Sequence, residues 1–600
     1  MFRCPCFLAD FGDNGGAAMR CSISPSAPGL RRLRTLATSG LGRWSVCGAL
    51  TLGVLLWAAG SEDGFSQSTQ NEGNVARAVS GTVTNSVTHE PIGRAVVYSA
   101  DGRVATFTDD HGHFEVTLPT TAEGADAGGQ WNMQGTLLAK KPGFLANTNR
   151  PARVDAAQDN ISIVLVPEAR IVGHVKFPSA EGGDHAQVML YRREVRDGQG
   201  QWQRLTQVVT RADGEFRFSD LREGQYKVFS QEAMEQDPLT AIGNGPVYGF
   251  PPRFFAAASD FASADTISIR AGETVTANLA PERQRYYDVK IPVPQAAGSP
   301  PGDVSVTVRA QGHRGPGFEL GYDPNQNAIR GSLPNGTYTI EANSGAPAAA
   351  SWTANITVAN GAVNAQPLTM TSNGSIEVNV RQDFTGEGAG ALPVSVYVSL
   401  ASADEFTGPQ VSGQSVQSQG SGGTQMDVRP GRYWVQVQAQ SGGIYPATVT
   451  SGTNDLMRTP LVVPFGGSVP PIEITLRNDS GEIDATVDGK PLQYPATGVG
   501  GTIGSGVRYG GFEPAGGVTV YSIPTGSSGG LPRQFDQLPN GSYALQQLPP
   551  GDYRVVAFDT PQQLEFRNPE AMRAYESMGE TVHVKPGEKV HVQLKLVKSE

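Results

Sequence analysis

Leu221-Arg-Glu-Gly224-Gln-Tyr226 is one of four copies of a short phrase that decides the fold of this chain. The other copies are Leu333-Pro-Asn-Gly336-Thr-Tyr338, Val428-Arg-Pro-Gly431-Arg-Tyr433 and Leu548-Pro-Pro-Gly551-Asp-Tyr553. In each copy a glycine allows a tight turn, and the tyrosine opens a run with apolar residues at every second position. The phrase therefore predicts a turn followed by a β-strand with one buried face.

The spacing of the four glycines predicts the size of the repeating unit. Successive glycines are 112, 95 and 120 residues apart. A solenoid repeat has only about 20–50 residues, whereas a β-sandwich domain has about 100. Each copy of the phrase therefore indicates a separate sandwich domain.

A second glycine-containing phrase closes several of these units. Its copies are Ile269-Arg-Ala-Gly272-Glu-Thr-Val275, Val463-Pro-Phe-Gly466-Gly-Ser-Val469 and Val584-Lys-Pro-Gly587-Glu-Lys-Val590. A three-residue loop with glycine between two short apolar runs is typical of a β-hairpin. We expect each phrase to form the final hairpin of its domain, which would place His583 opposite His591.

The fold class predicted from these phrases is all-β, a tandem array of about five Ig-like β-sandwich domains with few helices. The predicted domains, called the first to fifth below, cover residues 78–167, 168–282, 283–371, 372–478 and 479–600. Residues 61–77 form a polar linker. The strongest helix signal is Asn568-Pro569-Glu570, a start signal within residues 561–578.

The charge distribution excludes one class of partner. The whole chain carries a net charge of −11, and its first 60 residues carry +4, so the remainder carries −15. A strongly negative surface repels phosphate backbones, and we therefore expect no nucleic-acid binding.

The N-terminal 60 residues have the pattern of an export leader. Four arginines between positions 31 and 43 precede an apolar run at 46–59, and Ala58 and Gly60 fit the small-residue positions of a cleavage site. We expect cleavage after Gly60, with Met1 or Met19 as the start. The alternative is an uncleaved N-terminal membrane tether. All four cysteines precede residue 48, so the exported part needs no disulfides.

Residues 79–166 resemble the carboxypeptidase regulatory-like domain family. The matching stretches are Val79-Ser-Gly-Thr-Val-Thr, Pro91-Ile-Gly-Arg-Ala-Val-Val-Tyr98, Thr108-Asp-Asp-His-Gly-His-Phe114 and Lys141-Pro-Gly-Phe144. Residues 168–282 and 479–600 look like divergent copies, and the two domains between them are weaker matches. The resemblance implies a transthyretin-like (prealbumin-like) β-sandwich, repeated in tandem in an exported bacterial protein, with no chemistry of its own.

The zinc peptidase that accompanies this domain in metallocarboxypeptidases is absent from the sequence. That family binds zinc through a His-x-x-Glu pair, and no histidine of this chain has glutamate three residues later. The sequence also lacks a His-Glu-x-x-His motif and a Walker loop. We therefore expect no catalytic residues, no metal site and no cofactor.

Two groups of histidines are candidate metal ligands. His111 and His113 flank Gly112, and His583 and His591 are the predicted cross-strand pair. A zinc site needs three or four converging ligands. We therefore interpret the first group as a polar turn and the second as a solvated strand face.

Aromatic residues give the best indication of a binding surface. Trp434 alternates away from Tyr433 and should point outward, where it would stack on a sugar or pack against another domain. The cluster at 248–255 is the second candidate, with the alternative that it caps one end of a sandwich. The candidate ligand-binding residues are Trp434, Tyr248, Phe250, Phe254 and Phe255.

These features favour a non-catalytic exported protein that acts as an extracytoplasmic scaffold or as an interaction or adhesion module. We expect it in the periplasm, at the bacterial cell surface or secreted, with a glycan or a surface protein as partner. The alternative function is carbohydrate binding through exposed aromatic residues. The remote alternative is a hydrolase whose site no motif reveals.

Overall fold

The computed structural model describes residues 76–119, 136–145, 152–153, 160–178, 185–235, 246–293, 304–344, 350–372, 374–385, 393–406, 411–417, 423–464, 468–488, 518–525, 531–538 and 540–598. The predicted leader and almost all of the predicted linker lie outside these residues. The regular structure of the described residues is almost entirely β-strand. The predicted all-β array of sandwich domains is confirmed.

The first two domains hold strands β1 to β17. In the first domain they are β1 (Ala76–Asn85), β2 (Val96–Ser99), β3 (Ala105–Phe107), β4 (His113–Pro119), β5 (Thr136–Lys140), β6 (Ala152–Arg153) and β7 (Asn160–Leu165). In the second they are β8 (Ala169–His174), β9 (Gln187–Arg196), β10 (Gln199–Val209), β11 (Glu215–Leu221), β12 (Gly224–Ser230), β13 (Ala233–Met234), β14 (Val247–Phe250), β15 (Arg253–Phe254), β16 (Ile267–Ile269) and β17 (Thr274–Thr276).

The remaining strands follow in the same order along the chain. The third domain has β18 (Gln284–Pro292), β19 (Val304–Ala310), β20 (Gly321–Asp323), β21 (Ala328–Pro334), β22 (Gly336–Ser344), β23 (Ala350–Val358), β24 (Val363–Asn364) and β25 (Thr369–Ser372). The fourth has β26 (Gly374–Gln382), β27 (Ser395–Ser402), β28 (Val411–Gln417), β29 (Thr424–Val428), β30 (Gly431–Ala439), β31 (Tyr445–Ser451), β32 (Asn454–Asp455), β33 (Leu461–Val463) and β34 (Ile472–Arg477). The fifth has β35 (Gly481–Asp488), β36 (Thr519–Thr525), β37 (Arg533–Gln534), β38 (Asp536–Gln537), β39 (Tyr543–Leu548), β40 (Gly551–Phe558), β41 (Glu580–Val584) and β42 (Lys589–Val597).

One pairing rule recurs in all five ranges of the described chain. The opening strand of each domain pairs in parallel with a strand near the end of that domain: β1 with β7, β8 with β17, β18 with β24, β26 with β34, and β35 with β42. A parallel pair cannot be joined by a tight turn, so the chain must first cross to another sheet and return. The first four domains accordingly contain two sheets each, whereas in the fifth β42 pairs with both β35 and β40 and joins the strands into one sheet.

The predicted closing hairpins are wrong for the same reason. In the second domain β16 pairs with β12 while β17 pairs with β8, which belongs to the opposite sheet. In the fifth domain β41 pairs with β40 and β42 pairs with β35. The glycine loop therefore carries the chain between sheets, and His583 faces Asp552 in register rather than His591.

The tyrosine of the repeated phrase is fully inside each sandwich and makes the same hydrogen bond in every copy. The hydroxyl of Tyr226 donates to the carbonyl of Arg222 at 2.7 Å, and Tyr338 donates to Pro334 at 2.9 Å. Tyr433 donates to Arg429 at 3.0 Å, and Tyr553 donates to Pro549 at 2.5 Å. Each acceptor stands four residues before its tyrosine, which is the arrangement called a tyrosine corner in Ig-like sandwiches.

The tyrosine corner also explains the glycine two residues before it. A Cβ at Gly336 would lie 2.9 Å from the Tyr338 hydroxyl, and one at Gly431 would lie 3.0 Å from the Tyr433 hydroxyl. The ring folding back over the turn therefore leaves no room for a side chain. Backbone conformation adds a second requirement at Gly224, where φ is +145°.

One large hydrophobic cluster lies in each of the five predicted ranges of the described chain. The tyrosine strands β12, β22, β30 and β40 each contribute to one of them. Tyr226, Tyr433 and Tyr553 are among the largest fully buried side chains, together with Trp352 of the third domain. A sixth cluster forms between domains, from residues of the second domain and Phe406 of the fourth.

The second and third domains share a sheet. Strands β13 and β14 come from the second range, but β14 pairs with β18 of the third domain from Val247↔Tyr286 to Gly249↔Gln284. The stretch after β12 therefore leaves its own sandwich and extends that of its neighbour.

The predicted helix start is present, but the helix is short. Asn568 caps α1 (Pro569–Met572) by accepting hydrogen bonds from the amides of Glu570 and Ala571, and a 3₁₀ turn (Arg573–Tyr575) follows. The segment packs through Met572 and Tyr575 against a small cluster around Phe558.

The tyrosine corner predicts a measurable loss of stability when only the hydroxyl is removed. We expect Tyr433→Phe to destabilise the fourth domain by about 1 kcal/mol, because it deletes one hydrogen bond and leaves the Arg429 carbonyl without it. The measurement is hydrogen exchange of peptides from β27 and β30. Tyr397→Phe on β27, whose ring is 37% exposed, is the matched control and should leave protection unchanged. Equal protection in both variants would contradict the assignment.

Candidate functional site

The long hairpin β9–β10 of the second domain forms the centre of the candidate site. Its turn is Asp197-Gly198, with φ of +50° and +75°, and Arg196 pairs with Gln199 on either side. Positive φ at both central residues defines the two-residue turn that matches the twist of paired strands. The hairpin tip therefore projects with a fixed geometry.

An ion pair joins this hairpin to the fifth domain. The guanidinium of Arg193 binds both carboxylate oxygens of Glu565, with Nη2 to Oε2 at 2.8 Å. The hydrogen bond from Arg193 holds the pKa of Glu565 below its usual range, although partial burial opposes this. A two-pronged pair of this kind fixes orientation as well as distance.

Arg567 locks the tip of the hairpin to two domains at once. Its Nε donates to the Asp197 carbonyl at 2.7 Å, and its amide donates to the Gly198 carbonyl at 2.9 Å. Its guanidinium lies 4.0 Å from the centre of the Trp434 ring in the fourth domain. Burial lowers the pKa of Arg567 to about 10, so the group remains charged at neutral pH and makes a cation–π contact.

Trp434 alternates with buried Tyr433 as predicted, but its ring is half-buried at this junction. Its Nε1 donates to Gln199 Oε1 at 2.9 Å, and Arg567 covers one face. These contacts are those of interdomain packing, the alternative given for this residue. Stacking of a sugar on Trp434 stays a prediction.

Strand β10 of the hairpin forms hydrogen bonds to backbone carbonyls of the fourth domain. Gln199 Nε2 donates to the Ala403 carbonyl at 2.8 Å, and the Trp202 amide donates to the Glu405 carbonyl at 2.7 Å. The indole of Trp202 then packs in the sixth cluster with Phe261, and Phe261 contacts the Phe406 ring at 5.4 Å. The fourth domain thus covers the first residues of β10 along the edge of that strand.

A buried lysine stiffens this junction. The ammonium of Lys227 on β12 donates to the carbonyls of Phe261 and Ala262 at 2.8 and 2.9 Å and lies 5.1 Å from the Trp202 ring centre. Burial lowers its pKa. The carbonyls and rings replace the water that a buried ammonium loses, and they fix the segment around Phe261.

The aromatic cluster predicted as a second binding surface is largely inside the protein. Phe250 and Phe254 are 3% and 4% exposed, so their rings offer little free surface. Phe255 packs against the core of the second domain. Tyr248 is half-buried, with the Arg283 guanidinium 3.6 Å from its ring centre. Ligand binding by this cluster stays a prediction.

The contact between the second and third domains buries a carboxyl group without a cationic partner. Burial raises the pKa of Glu232 to about 7, and the nearby Glu319 carboxylate adds to this effect. The side chain lies against Tyr286 of β18, and burial beside Glu232 raises the tyrosine pKa as well. Glu232 forms no ion pair with a described residue, so no nearby cation offsets the effect of burial on its pKa.

The histidines weighed as metal ligands lie on separate surface features. His111 and His113 stand in a turn whose amides donate to Asp109 Oδ1 at 2.9 and 2.8 Å. His583 Nδ1 lies 2.7 Å from Asp552 Oδ1, whereas His591 lies 3.4 Å from the Thr486 hydroxyl. Within the described residues no three histidine, cysteine, aspartate or glutamate side chains converge as metal ligands would.

Of the residues that join the hairpin β9–β10 to the fourth and fifth domains, the sequence patterns indicated Trp434 but not Arg193, Glu565 or Arg567. Asp197-Gly198 between two polar-apolar strands is a strong hairpin signal and would have predicted β9–β10. Arg193 and Glu565 are 372 residues apart, and no local pattern marks such a pair. The same holds for Arg567, because its partners come from two other domains.

Comparisons with known proteins return weak structural likeness alone. The chain is 11% identical to the Bacillus anthracis TIE protein, with a TM-score of 0.14 over 68% of this chain and 69% of that one. It is 12% identical to a streptococcal ancillary pilin (TM-score 0.19, 51% and 98% covered) and 8% identical to the RrgB pilus protein of Streptococcus pneumoniae (TM-score 0.12, 72% and 98% covered).

No family model and no curated protein matches the chain. The resemblance to carboxypeptidase regulatory-like domains therefore stays a prediction. Structural likeness at these TM-scores carries no inference about function. Among the described residues, no helix has the length and apolar character needed to cross a membrane.

The junction predicts that Arg567 couples three domains. We expect Arg567→Gln to accelerate amide exchange about tenfold at the hairpin tip and around Trp434, because the variant loses the cation–π contact and the charge on the bond to Asp197. Arg573→Gln, an exposed arginine in the following 3₁₀ turn, is the control. Faster exchange confined to the fifth domain would contradict the coupling.

Glu232 predicts a loss of stability as the pH rises. Its pKa is about 7 in the folded chain against 4.5 for the free side chain, so the folded state holds a proton that the unfolded state releases. The protonated form is fully favourable below about pH 4.5, and this contribution disappears as the pH passes about 7. We expect the melting temperature of the second and third domains to fall over this interval.

Glu232→Gln should abolish most of that decline, since an amide does not titrate. Glu223→Gln, an exposed carboxylate in the same domain, should leave it intact. The measurement is the melting temperature of each variant from about pH 5 to pH 8. A decline of equal size in Glu232→Gln would place the titrating group elsewhere.

Proposed function

We propose that this protein is a non-catalytic, exported scaffold whose sandwich domains are fastened to one another rather than strung on free linkers. The observation that carries the proposal is the hairpin β9–β10, which binds the fourth and fifth domains through Trp434, Glu565 and Arg567. The aromatic and charged side chains that a ligand-binding site would need are engaged at this hairpin in contacts between domains. The N-terminal export pattern supports a location outside the cytoplasm.

The mechanism of such a scaffold is mechanical. A backbone-paired sheet edge, a two-pronged ion pair and a cation–π contact all act between residues that are far apart in sequence. Force applied to one domain is then shared by several contacts instead of one linker. A glycan or a surface protein outside the cell is the partner that this role favours.

Pulling experiments on single molecules test the scaffold proposal. With handles at residues 76 and 598, we expect an unfolding event that precedes the opening of individual domains and reports rupture of the hairpin contacts. The double variant Arg193→Gln/Arg567→Gln should lose this event, because both contacts to the fifth domain are weakened. The control Arg94→Gln/Arg573→Gln, which changes two arginines outside the junction, should keep it. Identical force traces for all three proteins would overturn the mechanical role.

Fractionation and substrate screening test the remaining parts of the proposal. We expect the protein in extracytoplasmic fractions and no turnover of peptide, ester or glycoside libraries by the purified full chain. Retention in the cytoplasm would contradict export. Turnover that copurifies with the chain would restore the hydrolase alternative.

A further inference from the structure

A cleft of about 550 Å³ opens between the second and third domains. Its walls come from residues 251–260 of the second domain and from residues 308–318 and 334–338 of the third. Small-ligand sites measure about 300–1,000 Å³ and often lie between domains. The volume suits a ligand of one or two sugar rings.

Arg314 on the wall of this cleft is held rigidly by its backbone. Its amide donates to Asp260 Oδ2 at 3.0 Å, and its carbonyl accepts from the Ala262 amide at 3.2 Å. The next residue, Gly315, has φ of +95°, and a Cβ there would lie 2.8 Å from Phe261. The second domain thus clamps the loop of the third domain at the position that carries the arginine.

The guanidinium of Arg314 is exposed, lies 5.8 Å from the centre of the Phe406 ring and forms no ion pair with a described residue. The two acidic side chains of the cleft do not neutralise it. Asp260 is occupied by the Arg314 amide, by Ser263 and by His313, whose Nδ1 lies 3.3 Å away. Glu282 is 73% exposed and lies 3.7 Å from Arg253.

The cleft therefore offers positive charge in a protein whose exported part carries −15. Arg314 and Arg253 both line this space, and Arg309, which also lines it, is already paired with Glu341 at 3.0 Å. An arginine whose backbone is fixed and whose planar fork is not bound by a carboxylate of the described residues is suited to carboxylate and phosphate groups.

Part of the remaining lining is apolar and half-buried. Pro251, Pro252 and Pro316 line the cleft with Phe318, whose ring packs edge-on against Tyr338 at 5.3 Å. Flat apolar faces beside a few fixed polar groups are typical of small-molecule sites. Such faces can pack against the C–H surface of a sugar ring while the arginine binds its charged group.

We propose that this cleft binds a small anionic sugar, about a disaccharide in size, whose carboxylate or phosphate group pairs with Arg314. This inference goes beyond the scaffold role and does not depend on it. The ligand touches both domains, so its binding also holds the second and third domains at a fixed separation.

Isothermal titration of the full chain tests the proposal with three probes. Digalacturonic acid supplies carboxylates, trehalose phosphate supplies a phosphate, and trehalose is the neutral comparison. We expect saturable binding of at least one anionic probe and weaker or absent binding of trehalose. The anion that binds more tightly identifies the source of the charge.

Two variants locate the site. Arg314→Gln removes the charge but keeps the backbone bonds to the second domain, and it should weaken binding at least about tenfold, the loss of one charge-assisted contact. Gly317→Leu should block the cleft, because a Cβ at Gly317 meets only Phe254 Cζ at 3.9 Å and the longer side chain extends into open space. Arg94→Gln, whose side chain is 85% exposed in the first domain, should bind normally.

The outcomes separate cleanly. Loss of binding in both cleft variants with unchanged melting curves supports the proposal. Absence of saturable binding by both anions at millimolar concentration, equal affinity for trehalose, or binding that survives both variants would overturn it. None of these results changes the force traces that test the scaffold role.

Discussion

The hydrogen bond from a buried tyrosine hydroxyl to the carbonyl four residues earlier is the constraint on which the sandwiches depend. It satisfies a polar group that would otherwise be buried alone, and it holds the turn against the strand that the turn initiates. The strand fixed in this way lies between two neighbouring strands of its sheet, and its buried side chains pack in the core. Gly336 and Gly431 follow from the same contact, since the tyrosine ring occupies the space of a side chain there.

The parallel pairing of opening and closing strands sets how domains meet. Because the closing strand pairs with the opening strand of the same domain, that strand returns the chain to the sheet on which the domain began. In the second domain this leaves the stretch after β12 free to pair with β18 of the third. The sheet shared by the second and third domains and the β9–β10 hairpin then define the contacts between domains as closely as the hydrophobic clusters define each core.

Sequence patterns predicted the cores well because alternation and turn chemistry are local. The glycine–tyrosine phrase located β12, β22, β30 and β40, and Asn568-Pro569 located the start of α1. The closing hairpins were wrong because strand partners are chosen by the sandwich as a whole. A glycine loop between two apolar runs has the same pattern whether it turns within one sheet or crosses between two.

The candidate sites were less predictable because their partners are distant. The outward position of Trp434 followed from alternation, but nothing near it indicated that Gln199 and Arg567 would cover it. The cluster at 248–255 was recognisable by composition, whereas its burial depends on the second domain's core and on β18. The cleft beside it depends on a loop of the third domain.

The distance between Arg193 and Glu565 along the chain sets a waiting time during synthesis. A ribosome adds about 5–20 residues each second, so the hairpin emerges roughly 20–75 seconds before its partner exists. Throughout that interval the Arg193 side chain lacks its final partner, whereas the edge of β10 gains its partner in the fourth domain, 204 residues on, about halfway through. Any assembly that handles the growing chain therefore meets an open hairpin first, and the fifth domain supplies the Glu565 carboxylate that pairs with Arg193.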